Sequence, residues 1–120
     1  MSAKPQPFRP DLGNQESLRC DVLPERDHVR VRPVGTLDMA NAPVLEKQLI
    51  ELRDAGFGEL MVDLRRLVFM DSSGLRLLLR WNAESRSNGF RLILVPGAPE
   101  IQRLFDITGM TDKLPFTDSA

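Results

Sequence analysis

The chain has 120 residues, 42% of them hydrophobic and 28% charged, the size and make-up of one globular domain with a single core. Lys plus Arg total 16 and Asp plus Glu total 17, a formal net charge of -1, which removes any electrostatic case for a nucleic-acid partner. No apolar run approaches the ~20 residues of a membrane span, the start lacks the apolar segment of a secretory signal, and the single cysteine, Cys20, excludes an internal disulfide, so a cytoplasmic protein with no membrane partner is expected.

Residues 1–16 are rich in proline and polar side chains and follow no period of 2 or 3.6, which predicts a flexible tail. The domain is expected over residues 17–120. Leu18, Cys20 and Val22 alternate with Arg19, Asp21 and Leu23, and after Pro24 to Asp27 a second alternation sets Val29, Val31 and Pro33 against His28, Arg30 and Arg32. This pattern predicts a β-hairpin with a loop of four or five residues, and places Cys20 as a buried strand residue. The segment from Val34 to Asp38 is expected to leave the strand. Asn41 then offers a side-chain cap and Pro43 a preset first helical turn, so a helix is predicted over 42–55 with Val44, Leu45, Leu49 and Leu52 on its buried face. Gly56 stops it, and 59–64 reads as a strand, followed by a link over 65–70.

A leucine-rich helix is predicted over 73–87, closed by Asn88-Gly89. Four leucines at 75, 77, 78 and 79 cannot all face one sheet, and Leu77 is expected to be the more exposed. Trp81 is expected to pack rather than to anchor a ligand. A strand over 90–95, a short helix over 99–106 and a last short strand or turn near 114–116 complete the order. The whole predicts an α/β fold, a mixed sheet of four to five strands with about three or four helices packed on it. Strands 28–34, 59–64 and 90–95 are expected to be parallel neighbours. Asp38 and the turn Asp71-Ser72-Ser73-Gly74 both follow the carboxyl ends of strands, where functional residues gather in such sheets, so they are expected to meet.

The catalytic inventory is thin. His28 is the only histidine, there is no tyrosine, and the serine turn lacks the G-x-S-x-G frame of a hydrolase. Gly35, Gly56, Gly58 and Gly74 are isolated and form no phosphate loop, and no soft ligands cluster for a metal. No enzyme activity and no cofactor are expected. For the turn itself two readings stand open. In one, Asp71 or Ser72 simply caps the helix. In the other, a hydroxyl is phosphorylated where free N–H groups and the helix dipole favour negative charge, altering a surface rimmed by Phe69, Met70 and Leu75.

Gly35-Thr36-Leu37-Asp38, Val62-Asp63-Leu64, the run from Phe69 through Met70, Asp71, Ser72, Ser73 and Gly74 to Leu75, and Leu104-Phe105-Asp106-Ile107-Thr108-Gly109 together resemble the STAS family, and within it the bacterial anti-sigma factor antagonists. The resemblance spans about residues 17–116. It implies a small switch protein that, unphosphorylated, binds an anti-sigma factor that is also a serine kinase, and so frees a sigma factor. Phosphorylation by that kinase ends binding, and a PPM-type, metal-dependent serine phosphatase restores it. ATP belongs to the kinase. The family's phosphorylated residue, the second hydroxyl of D-S-S-G, matches Ser73, and the implied partner surface is Asp38, Phe69, Met70, Asp71, Ser72, Ser73, Gly74, Leu75 and Arg76. The usual G-E-L-D of the family is G-T-L-D here, which removes an acid beside that surface. The alternative is a non-switching STAS subunit of a lipid-transport or stress-signalling complex, in which the serines only cap.

Overall fold

The computed structural model describes residues 18–26 and 28–118; the expected tail over 1–16 and the loop residue Asp27 lie outside them. Five strands, β1 (Leu18–Glu25), β2 (His28–Leu37), β3 (Glu59–Asp63), β4 (Leu67–Met70) and β5 (Arg91–Val95), form one sheet. Three α-helices, α1 (Ala42–Asp54), α2 (Ser72–Asn88) and α3 (Pro99–Ile107), and a 3-10 turn at Thr111–Lys113 complete the described elements. The expected mixed α/β sheet is what forms.

β2 is the strand on which the sheet is built. β1 pairs antiparallel along its length, from Leu18 opposite Gly35 to Glu25 opposite His28. The hairpin loop is thus shorter than the expected four or five residues, and Arg26 enters it at φ 57°. On the other edge β2 pairs parallel with β3 over His28 to Val31 and then with β4 over Gly35 to Leu37. β5 joins β3 in parallel. β2 therefore runs to Leu37 instead of ending near Val34. Gly35 makes this possible: at φ 113° it takes a backbone shape that side chains disfavour, the register shifts between it and Thr36, and its N–H donates to Arg66 O at 3.1 Å.

The core lies between the sheet and the helices. Val29, Val31 and Pro33 are buried on one face of β2, with Leu60 and Val62 of β3 and Leu92 and Leu94 of β5. Leu45, Leu49 and Leu52 of α1 and Leu75, Leu77, Leu78 and Trp81 of α2 cover them. Val44, expected on the buried face of α1, is exposed. On α2 it is Leu79, not Leu77, that is half-buried, because α2 is covered on one side by the sheet and on the next by α1. Trp81 packs as expected. Its ring meets Phe90 at 5.9 Å, Arg53 lies over it at 5.3 Å, and its Nε1–H donates to Glu46 Oε2 at 3.1 Å. Cys20 on the outer strand is half-buried rather than buried. Burial, and then the Asp21 charge, push its thiol up to about 11, so it stays protonated at neutral pH. The final segment narrows to a single bridge, Leu94 with Phe116, which closes part of the β5 edge.

Candidate functional site

The site stands where β2 and β4 end side by side. The N–H of Asp71 donates to Leu37 O at 3.1 Å, so the sheet ladder runs directly into the residue before α2. Asp71 is extended (φ -103°, ψ -172°) and is the N-cap. Its Oδ1 accepts from the Ser73 N–H at 2.8 Å, its Oδ2 from the Met39 N–H at 3.3 Å, and its carbonyl from Gly74 N–H at 3.1 Å and Leu75 N–H at 3.4 Å. The two segments expected to meet do meet, and Asp71 is what joins them.

The loop between β2 and α1 is built by Asp38 and Asn41 for each other. Asp38 Oδ1 accepts from the N–H groups of Ala40 at 3.0 Å and Asn41 at 3.1 Å, and Asn41 Oδ1 accepts from Asp38 N–H at 2.8 Å. Asn41 Nδ2 donates to Thr36 O at 2.7 Å. Asn41 is fully buried and makes no side-chain cap on α1, contrary to the expectation. Its acceptor is spent on the turn, which is the local competition that makes Asn and Asp turn formers. Met39 at the loop tip is left 76% exposed.

Ser72 is exposed and Ser73 half-buried on the first turn of α2. Arg76, one turn later, donates from its two terminal nitrogens to Ser72 Oγ at 3.3 Å and Ser73 Oγ at 3.4 Å. Of the expected apolar rim only Phe69, 53% exposed, reaches the surface, whereas Met70 and Leu75 are buried, as is Gly74. β4 turns Leu67 and Met70 inward and Val68 and Phe69 outward. Val68, 74% exposed, and Ile107 of α3, 72% exposed, were missed as surface residues, and both sit with Phe69, Ile101 and Leu104 around a groove of about 230 Å³.

A STAS domain model matches residues 21–120. The chain belongs to the STAS domain family. An anti-sigma-B factor antagonist of Staphylococcus epidermidis is 32% identical over 96 residues, covering 80% of this chain and 89% of that protein. The crystal structure of an anti-sigma factor antagonist from Mycobacterium paratuberculosis aligns at a TM-score of 0.75 with 24% identity, over 92% of this chain and 90% of that one. The Bacillus cell fate determinant SpoIIAA in its phosphorylated form aligns at 0.65 with 23% identity, over 86% and 91%. At these identities the two structural likenesses speak for the fold.

In this STAS domain the serines have no histidine beside them. His28 begins β2 and the serines lie beyond its far end, which a ten-residue strand puts about 30 Å away; His28 instead pairs with Glu25 at 2.9 Å. Among the described residues no group of three or more His, Cys, Asp or Glu is placed to hold a metal ion, and no helix is long and apolar enough to cross a membrane. What the site offers is a surface: two hydroxyls, a cation over them, and exposed apolar side chains on the neighbouring strand end and loop.

Proposed function

We propose that this STAS domain is an anti-sigma factor antagonist whose binding is gated by phosphorylation of Ser73. Unphosphorylated, it binds an anti-sigma factor with serine kinase activity in the cytoplasm, and the sigma factor held by that kinase is released. The kinase transfers the γ-phosphoryl group of ATP to Ser73 Oγ, ADP departs, and the hydroxyl proton passes to a base of the kinase. A metal-dependent serine phosphatase reverses the step by hydrolysis. The domain itself acts by binding and not by catalysis.

The observation that carries this reading is that Asp71, not a serine, closes the start of α2. The hydroxyls of Ser72 and Ser73 are therefore not consumed as caps and face outward beside Phe69 and the Asp71-held Met39 loop. Those two exposed apolar residues, with Val68, form the contact surface, while Met70, Gly74 and Leu75 support it from beneath and Asp38 shapes the loop. A dianion of about -1.5 to -2 charge on this surface opposes an apolar or acidic partner. Exposure alone favours Ser72; the resemblance of D-S-S-G to the family's motif supports Ser73.

Mass spectrometry after incubation with the kinase and ATP tests the assignment, and modification of Ser72 with Ser73 untouched would overturn it. For binding, Ser73→Ala is expected to keep the partner and Ser73→Asp to weaken it by about tenfold or more, roughly 1.4 kcal/mol, in calorimetry. Equal affinities for the two variants would instead favour a non-switching STAS subunit.

A further inference from the structure

A phosphate on Ser73 would sit at a helix start, where free backbone N–H groups ordinarily receive an anion. Here those of Ser73 and Gly74 are already engaged. Asp71 Oδ1 holds the Ser73 N–H at 2.8 Å, and the Asp71 carbonyl holds those of Gly74 at 3.1 Å and Leu75 at 3.4 Å. Asp71 also brings its own negative charge next to the phosphate, through the carboxylate that caps the helix at Ser73. The backbone is thus only a partial receiver, and the Asp71 carboxylate opposes a dianion.

Arg76 answers both problems. Spaced three and four residues from the serines, it lies on the same side of α2, and its guanidinium spans the two hydroxyls at 3.3 and 3.4 Å. Among the described residues no carboxylate lies within ion-pair distance of Arg76, so its charge is spent on two neutral oxygens. Arg80, one turn further along, is not available in the same way, since both Glu46 carboxylate oxygens hold it at 3.0 Å. We propose that Arg76 is a built-in counter-cation for phosphoserine at position 73, holding the phosphate against the first turn of α2. This rests on the phosphorylation reading above. It makes the modification a local change of shape and polarity at the Phe69 side of the surface, with its charge half answered within the domain, and it leaves α2 intact. Guanidinium suits this role because its planar fork meets two phosphate oxygens at once.

The test is a phosphorus NMR titration of the domain with phosphoserine placed at 73 during translation, so that no kinase is needed. In the Arg76 protein the second ionisation is expected below the ordinary value of about 6. Arg76→Gln is expected to raise it by about half a unit to one unit, and Arg76→Lys to restore only part of the difference, because the ammonium keeps the charge but not the fork. Circular dichroism melts of the three proteins confirm that the exposed substitution leaves the fold in place. A titration unchanged by Arg76→Gln would overturn the clamp while leaving kinase phosphorylation of Ser73 standing. A Ser73 ignored by the kinase would remove the functional reading without altering this measurement.

Discussion

Asp71 does two different jobs with its two carboxylate oxygens. One caps α2 at Ser73 and the other pulls the 38–41 loop against the helix start through Met39. Asp71→Ala is therefore expected to cost about 1 to 2 kcal/mol in urea unfolding. Asp71→Asn should lose much less, because Asn keeps an oxygen for the cap. Equal losses for the two would show that the charge matters and not the capping oxygen. The motif around Asp71 was legible in the sequence, since an acid and two hydroxyls before a leucine run announce a helix start. Which of its neighbours face outward was not. Met70 and Leu75 stand as close to the serines in sequence as Phe69 does, yet β4 and α2 turn them into the core, and only pairing partners decide that. The same limit applies at Asn41, whose side chain is a good cap in isolation but is claimed here by the Asp38 turn.

β4 and α2 meet with little room between them, and Gly74 is the reason they can. A Cβ at position 74 would come within 2.6 Å of Met70 Cγ and 2.8 Å of Leu37 Cδ2. Gly74→Ala gains about 1 kcal/mol of helix propensity but forces Met70 and Leu37 aside, at about 1 to 3 kcal/mol for overpacking. The expected net is a loss on the order of 1 kcal/mol, read as a melting temperature several degrees lower. A variant as stable as the wild type would mean that Met70 and Leu37 move aside freely and that the contact is not tight. β4 itself could not be read from the sequence. Four residues with the pattern buried, exposed, exposed, buried carry no alternation, and the strand exists because Gly35 bends β2 to receive it. The longer elements were legible because each buries a regular stripe, as α1 does with Leu45, Leu49 and Leu52. Leu77 shows where that logic stops: a helix that touches both a sheet and another helix buries a wider arc than one partner would give it.

Across the whole sheet the two faces are held by different physics. The helix-covered face is apolar and was readable as alternation in β2 and β5, whereas the other face carries Asp63, fully buried beneath arginines that the sequence scatters over two segments. Arg30 and Arg32 of β2 approach its Oδ2 at 3.0 and 3.5 Å, and Arg65 approaches at 2.8 Å while its backbone N–H donates to Oδ1 at 3.1 Å. One carboxylate thereby ties β2 to the end of β3 and to the turn that starts β4. Burial pushes this carboxyl up. The hydrogen bonds from the Arg65 side chain and backbone and from Arg30, with the Arg65 charge, outweigh it and hold the group at about 2. In an unfolded chain it returns to about 3.9. A carboxyl depressed on folding stabilises fully above the unfolded value and loses that contribution as pH falls through the folded one. The window is therefore about pH 5 down to 2, and the contribution is on the order of 2 kcal/mol. Asp63→Asn removes the anion and leaves the arginines facing one another, at a cost of about 3 kcal/mol near pH 7. Urea midpoints of both proteins measured from pH 7 to pH 2 should draw together below about pH 5 and nearly meet at the acid end, because protonation then does to the wild type what the amide has already done to the variant. Parallel curves would place the acid sensitivity elsewhere and reduce the Asp63 cluster to packing.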